Sequence, residues 1–75
     1  MIKKADVIHV SKQILSGTPV FRGTRVPVKN FLDYLEGGHD VDDFLEDFPT
    51  VKKRQVLQFL ELAREKLLPH EITHR

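Results

Sequence analysis

The sequence predicts a mostly α-helical domain in which three helices follow a short N-terminal β-ribbon. Residues 17–28 alternate in polarity between glycines, with the period of two that is typical of strands. Residues 29–68 instead carry apolar side chains at helical spacing, interrupted at Gly37-Gly38 and at Pro49. Three helices with a tight turn before the last have the layout of a helix-turn-helix domain. The same periodicity also fits a generic three-helix bundle.

The ribbon is the most distinctive stretch of the chain, and a strand is expected before it at residues 6–10. Residues 21–24 supply the ribbon's tight turn, with Gly23 at the position that requires positive φ in a type II or I′ turn. Pro19 and Pro27 limit the pairing of its two strands, because a proline cannot donate a ladder hydrogen bond. The apolar ribbon residues are expected to pack on the helices or to pair across a homodimer: Val20, Phe21, Val26 and Val28.

The first two helices are predicted at residues 29–36 and 41–47. Gly37-Gly38 ends the first, as glycine does at a helix C-terminus. Asp40 is a good N-cap for the second, and carboxylates in its first turn complement the helix dipole. The side chains expected on the buried faces are Phe31, Leu32 and Leu35 in the first helix, and Val41, Phe44, Leu45 and Phe48 in the second.

The third helix is predicted at residues 51–68, between two prolines. Pro49 ends the preceding helix, Thr50 is expected to cap the new one, and Pro69 breaks it. The buried stripe of this helix is expected to consist of Val56, Phe59, Leu60, Ala63 and Leu67.

The chain is expected to form a single domain over residues 1–75, with the strand and ribbon at 6–28, the helices at 29–68 and a flexible tail at 69–75. A chain of this size buries only about 60% of its unfolded surface, so a homodimer or another partner is expected to add stability. It contains no cysteine, which excludes a disulfide framework and a thiolate metal site. Neither a signal peptide nor a run of about 20 apolar residues is visible, so we expect a cytoplasmic protein with no membrane segment.

The net charge of +1 hides a strong segregation along the chain. Residues 1–29 carry a net charge of +5, residues 30–49 carry −7, and residues 50–75 carry +3. One interpretation is that each run forms a solvated surface. The other is that an anionic partner binds near one end and a basic partner binds the middle.

Two patterns suggest a metal, and both fail on context. The segment 70–74 spells the H-E-x-x-H motif of zinc metalloproteases, but it follows Pro69 and no third ligand lies downstream. The acidic residues 40–47 lack the glycine and the distal glutamate of a calcium loop, and helix capping explains them better. We therefore expect no metal, no cofactor and no catalytic site. The protein is expected not to be an enzyme.

The N-terminal turns of the last helix are the best candidate for a binding surface, because this part of a recognition helix meets the major groove of DNA. Its lysines and arginine would contact phosphates or guanine, and its glutamines could read base edges. The acidic helix that precedes it would repel the phosphates of DNA unless basic ribbon residues add positive charge. The alternative is an ordinary solvated helix surface. The candidate DNA-binding residues are Thr50, Lys52, Lys53, Arg54, Gln55 and Gln58, with Arg22 and Arg25 from the ribbon.

A distinctive set of residues extends through the ribbon and the helices: Gly17, Pro19, Val20, the run Arg22-Gly23-Thr24-Arg25-Val26-Pro27-Val28, Leu35, Gly37-Gly38, Phe44-Leu45, Phe48-Pro49 and Val56. This set resembles the pattern of a small bacterial family, domain-of-unknown-function family 433 (DUF433), over about residues 7–66. The resemblance implies a homeodomain-like helix-turn-helix with a β-ribbon in front. It also implies an antitoxin of the VapB type, paired with a small nuclease-like toxin of PIN-related fold. The sequence departs from the family after Pro49, where Lys52-Lys53-Arg54 is basic.

Two functions from different classes follow from these observations. The first is an antitoxin that neutralises a cognate toxin and binds its own operator DNA as a dimer. The second is a protein-interaction adaptor, or a stand-alone dimeric domain, whose helix-turn-helix is only a scaffold. Steep salt dependence of DNA binding would distinguish the first from the second.

Overall fold

The computed structural model describes residues 3–68, which form a small helical domain with one short pair of strands. A one-turn helix comes first in the chain, two short antiparallel strands follow it, and three longer helices come after the strands. The elements in chain order are α1 (Lys4–Val7), β1 (Ile8–His9), a 3₁₀ turn (Leu15–Gly17), β2 (Val20–Phe21), α2 (Val28–Glu36), α3 (Val41–Asp47) and α4 (Lys53–Leu67).

The strand predicted at residues 6–10 is wrong in its first half, because Asp6 and Val7 belong to α1. Only Ile8 and His9 are extended and paired, with Ile8 opposite Phe21 and His9 opposite Val20. Val7 is fully buried at the end of α1, and its carbonyl accepts a hydrogen bond from the Arg22 amide at 2.8 Å. The β-branched composition of this segment therefore did not distinguish a helical turn from a strand.

The predicted ribbon is present in a short form. The Phe21 amide donates to the Val26 carbonyl at 3.0 Å, and Val20 forms an isolated antiparallel bridge with Pro27. The Val28 amide donates to the Pro19 carbonyl at 3.0 Å, so one more hydrogen bond follows Pro27. Pro27 itself contributes no amide to the pairing. Strand β2 is thus paired on both sides, with β1 on one and residues 26–28 on the other. Phe21 and Val28 belong to the buried core and Val26 packs against it, as the first of the two alternatives predicts. Val20 is fully buried as well.

The turn at residues 21–24 is confirmed as type II. The Thr24 amide donates to the Phe21 carbonyl at 3.0 Å, and Gly23 has a φ of +80°. Arg22 is not among the residues of positive φ, which excludes type I′. The buried Thr24 hydroxyl donates to the Phe21 carbonyl at 2.8 Å and accepts from the Val26 amide at 3.0 Å. These bonds fix the geometry of the turn.

The junction between α2 and α3 is also as predicted. Helix α2 ends at Glu36 with Gly37 as its C-cap, and Gly38 has a φ of +90°, a conformation that glycine adopts without strain. The Asp40 carboxylate accepts from the Asp43 amide at 2.9 Å, and the Asp43 carboxylate accepts from the Asp40 amide at 3.2 Å. This reciprocal pair is a capping box, so α3 begins where the sequence predicts.

Thr50 does not cap α4, so that prediction is wrong. The helix begins at Lys53, with Lys52 in the N-cap position. The reason is Val51, which is buried in the core and whose amide donates to the Phe48 carbonyl at 3.0 Å. The chain must complete this turn before it becomes helical, and Thr50 lies exposed within the turn.

The core is built around aromatic rings. Phe31 and Phe44 meet edge to face with their ring centroids 5.1 Å apart, and Phe21 and Phe59 lie 6.1 Å apart. Such pairs contribute about 0.5–1.5 kcal/mol each beyond the burial of their area. The main buried cluster consists of Phe21, Val28, Phe31, Phe44, Val51 and Val56.

The predicted buried faces of α2 and α4 are wrong in part, whereas that of α3 is confirmed. In α4, Leu60 and Leu67 are exposed, while Leu62 is buried. In α2, Leu32 and Leu35 are exposed and Phe31 is buried. Helix α1 packs against α4, a contact that periodicity within α4 does not predict.

The tail predicted at residues 69–75, including its H-E-x-x-H segment, lies outside the described residues. Within residues 3–68, no helix is long and apolar enough to cross a membrane.

Candidate binding surface on the last helix

The first turn of α4 presents three consecutive cations to solvent. Lys52, Lys53 and Arg54 are all exposed. Within residues 3–68, the backbone amides of Lys53 and Arg54 donate to no acceptor, because they lie at the start of the helix. Side-chain cations and free amides at a helix N-terminus form a setting that binds oxyanions such as phosphate.

These cations oppose the local electrostatics of the helix. The N-terminal end of an α-helix carries a partial positive charge, which favours Asp and Glu and disfavours Lys and Arg. Helix α3 follows this rule, with Asp42 and Asp43 in its first turn, whereas α4 has no acidic residue in its first turn. The basic start of α4 is therefore unfavourable for the isolated domain, and a bound anion would relieve the repulsion.

Gln55, predicted to read bases, is engaged within the domain. Its side-chain carbonyl accepts from the Lys52 amide at 2.9 Å, and its side-chain amide donates to the Arg22 carbonyl at 2.7 Å. The first bond caps the start of α4, and the second ties α4 to the ribbon turn. Gln58 is half-buried on the flank of the helix. The two predicted base readers are thus less accessible than the cations beside them.

The ribbon turn lies close to the start of α4, because the Gln55 side chain contacts the Arg22 carbonyl. Arg22 is exposed, and its Nε donates to the Ala5 carbonyl, which links the ribbon turn to α1. Arg25 is exposed three residues further on. Thr50 is exposed in the turn before α4. The structure therefore brings the ribbon turn next to the first turn of α4, and the assignment of these residues to DNA stays a prediction.

Lys29, a basic residue in the first turn of α2, is occupied by an ion pair. Its ammonium lies 2.7 Å from the Asp33 carboxylate, one helical turn away in α2. The hydrogen bond from this ammonium to Asp33, and the charge of Asp33, raise the pKa of Lys29. The pair is exposed, so it adds little stability and reduces the positive charge that Lys29 presents to a ligand.

The acidic part of the chain forms its own set of contacts around α3. The Tyr34 hydroxyl donates to the Asp47 carboxylate at 2.6 Å, and this hydrogen bond raises the pKa of Tyr34. His39 lies 3.5 Å from the Asp43 carboxylate, and its ring lies against that of Tyr34 with centroids 5.2 Å apart. These contacts join α2 to α3, so part of the acidic run has a structural role.

Sequence periodicity missed a second feature of α4, namely leucines on its solvent-facing side. Leu57 and Leu60 are exposed, and Leu67 is exposed near the end of the helix. Lys53 and Arg64 share this side, since the five positions are spaced alternately by four and three residues. The alternating spacing of these five positions is visible in the sequence alone. It did not lead to the prediction of an exposed side, because Leu60 and Leu67 were assigned to the core. These five residues (53, 57, 60, 64 and 67) are called the α4 seam below.

The surface of residues 3–68 offers no pocket and no cluster of three or more His, Asp or Glu side chains that could hold a metal. The candidate site described above, the first turn of α4, is an exposed helix surface. Such a surface is suited to contact with another macromolecule.

Comparison with known proteins gives the family of the chain. The uncharacterized protein y4eO of Sinorhizobium fredii (strain NBRC 101917 / NGR234) is 39% identical to it over 51 residues. The aligned region is 68% of this chain and 23% of y4eO, so the chain spans about a quarter of that relative. No solved structure matches the chain. The sequence profile described as "Protein of unknown function (DUF433)" matches residues 8–63, and the chain therefore belongs to the DUF433 family.

Proposed function

We propose that this protein is an antitoxin-type binding module that neutralises a small PIN-like nuclease toxin and binds operator DNA through the start of α4. The observation that carries the DNA part is the run Lys52-Lys53-Arg54 at the positive end of the helix dipole. The toxin part rests on the family resemblance.

The proposed DNA contact is directed mainly at phosphates. Three cations and two free amides are suited to phosphate oxygens, whereas Gln55 is held by Lys52 and Arg22. In this proposal α3, the turn and α4 act as a homeodomain-like helix-turn-helix, with Arg22 and Arg25 adding charge beside α4. Binding that relies on phosphates depends steeply on salt and weakly on sequence.

A homodimer in the cytoplasm completes the proposal. Operators with two-fold symmetry are bound by two-fold symmetric dimers, whose second copy doubles the number of phosphate contacts. A domain of this size also gains stability from a second copy, since it buries a small fraction of its unfolded surface.

The DNA part is tested with a labelled duplex that covers the sequence upstream of the protein's own gene. Lys53→Glu is expected to lower the affinity at least about tenfold, because it replaces attraction to a phosphate by repulsion. Lys66→Glu is the matched control, since it makes the same charge change in the last turn of α4. Equal affinities of Lys53→Glu and wild type, measured by fluorescence anisotropy, would refute the DNA assignment.

The second candidate is a protein-interaction adaptor with no role on DNA. The exposed leucines of α4 favour it, because apolar side chains on the outward side of a helix mark protein contacts better than nucleic-acid contacts. The two candidates differ in the partner they require. Affinity purification of the tagged protein from its host, followed by mass spectrometry, is expected to yield a stoichiometric small protein in both cases. Only an antitoxin releases a ribonuclease when the two are separated, and a partner without such activity would favour the adaptor.

A further inference from the structure

The α4 seam runs along the solvent-facing side of the helix. The exposed fractions of its leucines are 51% for Leu57, 38% for Leu60 and 77% for Leu67. Lys53 and Arg64 continue the same line, so the spacing over the seam is 4-3-4-3, which is that of a coiled-coil interface. At a rise of about 1.5 Å per residue the seam is about 21 Å long, enough to receive four turns of another helix.

The charges on the seam argue against a second α4 as its occupant. An antiparallel pair that sets Leu57 against Leu60 of the second copy also sets Lys53 against Arg64. A parallel pair sets each cation against itself. The antiparallel register that pairs Leu57 with Leu67 leaves Leu60 facing Arg64. Each arrangement places a cation opposite a like charge or an apolar side chain, which is unfavourable at an interface.

We infer that the seam binds an amphipathic helix of a different protein, with leucine-like residues facing Leu57 and Leu60 and carboxylates facing Lys53 and Arg64. This inference deepens the proposed function, on which it rests for the existence of a protein partner. The two cations bracket the leucines, so carboxylates at the matching positions give both charge pairing and a fixed register. Because Lys53 also belongs to the proposed DNA surface, partner and DNA compete for the start of α4.

The test uses a labelled synthetic helical peptide with the seam pattern Glu-x₃-Leu-x₂-Leu-x₃-Glu. The spacing reads the same in both directions, so parallel and antiparallel docking both bring the glutamates to Lys53 and Arg64. A control peptide carries lysine in place of the two glutamates. We expect the glutamate peptide to bind the full chain, measured by fluorescence anisotropy, and the lysine peptide to bind at least about tenfold more weakly.

Variants of the protein locate the site. Leu57→Ala with Leu60→Ala is expected to lower the affinity for the glutamate peptide about tenfold or more. Leu32→Ala with Leu35→Ala is the matched control, because it removes two exposed leucines from α2. Lys53→Glu with Arg64→Glu is expected to reverse the preference, so that this variant binds the lysine peptide more tightly. Circular dichroism confirms that each variant is folded.

Three results would overturn the inference: equal binding of the two peptides, equal losses from the α2 and α4 leucine pairs, or a homodimer that Leu57→Ala with Leu60→Ala dissociates in sedimentation. DNA affinity of the same α4 leucine variant separates this inference from the proposed function. Retained DNA binding and weakened peptide binding in this variant are the expected result. In the wild-type protein, DNA binding without binding of the glutamate peptide would refute the seam and leave the DNA role standing. Absence of both activities in the wild-type protein would refute both.

Discussion

Helices α3 and α4 begin in opposite ways, although they are neighbours separated by one short turn. The first turn of α3 is acidic and closed by the reciprocal bonds of Asp40 and Asp43. The first turn of α4 is basic, and its N-cap residue, Lys52, has no side-chain oxygen to offer. The glutamine side chain of Gln55 accepts from the Lys52 amide instead.

The first turn of α3 stabilises the folded domain, whereas the first turn of α4 is available for binding. Capping and complementary charge at α3 each favour the folded domain by about 0.5–1 kcal/mol. Three cations at α4 disfavour it by a similar amount per charge, because they lie at the positive end of the dipole. This contrast between the two helix starts is the physical reason for assigning the anion-binding role to α4. Four substitutions test the contrast.

The largest effect is expected from Gln55→Ala. The substitution removes the bond that caps α4 and the bond to the Arg22 carbonyl, so it should lower the free energy of unfolding by about 1.5 kcal/mol. Gln58→Ala is the matched control on the same helix and should cost less than about 0.5 kcal/mol. Urea unfolding measures both. Equal losses would show that Gln55 does not hold the start of α4.

Asp40→Ala removes the N-cap of α3. The expected loss is about 1 kcal/mol, which corresponds to a fall in Tm of about 4–8 °C for a domain of this size. Asp42→Ala, which removes only the interaction with the dipole, should cost a few tenths of that loss. An unchanged Tm for Asp40→Ala would contradict the role given to the capping box.

Lys53→Glu should stabilise the protein while it weakens DNA binding. An acidic side chain in the first turn complements the dipole, so the free energy of unfolding should rise by about 0.5–1 kcal/mol. Lys66→Glu places the same change in the last turn, where a cation is favourable, and should lower the free energy of unfolding. Destabilisation by Lys53→Glu in thermal unfolding would break the comparison between α3 and α4.

The smallest effect concerns pH. The Asp47 carboxylate raises the pKa of Tyr34, so the protonated phenol is favoured in the folded state. The stability that the hydrogen bond from Tyr34 to Asp47 gives to the folded protein is fully present below the pKa of tyrosine in the unfolded chain, about 10. It is lost as the pH rises through the raised pKa of Tyr34 in the folded state. The hydrogen bond to Asp33 and the charge of Asp33 raise the pKa of Lys29, so the stability from this ion pair is lost in the same alkaline range. In Tyr34→Phe, Tm should therefore fall less steeply above about pH 10 than in the wild-type protein. The fall that remains is due to Lys29. An identical fall in Tm for wild type and Tyr34→Phe would contradict the role of Tyr34.

Local chemistry made part of the fold predictable. Gly23, Gly38 and Asp40 each meet a requirement of the backbone within four residues, and the type II turn, the end of α2 and the start of α3 all follow from them. Helix α3 begins at Val41 as predicted, and it ends at Asp47, close to the predicted end. The short range of these interactions is what makes them readable from sequence.

Tertiary contacts determined what the sequence could not show. Leu62 of α4 is buried although it lies outside the predicted stripe, and α4 packs against α1, whose position no periodicity within α4 reveals. Thr50 lost its predicted capping role because Val51 is drawn into the core. In the candidate site, the basic run was evident from composition, whereas the engagement of Gln55 by Arg22 joins residues 33 positions apart.

The central claim, that the start of α4 binds the phosphates of DNA, is tested most directly by the salt dependence of DNA affinity. Affinity for the upstream duplex is measured from about 50 to 200 mM salt, for wild type and for Lys53→Glu. The account predicts a steep linear fall of log K with log salt concentration for wild type, and a slope shallower by about one for the variant. A salt-independent affinity, or the same slope for both proteins, would contradict it.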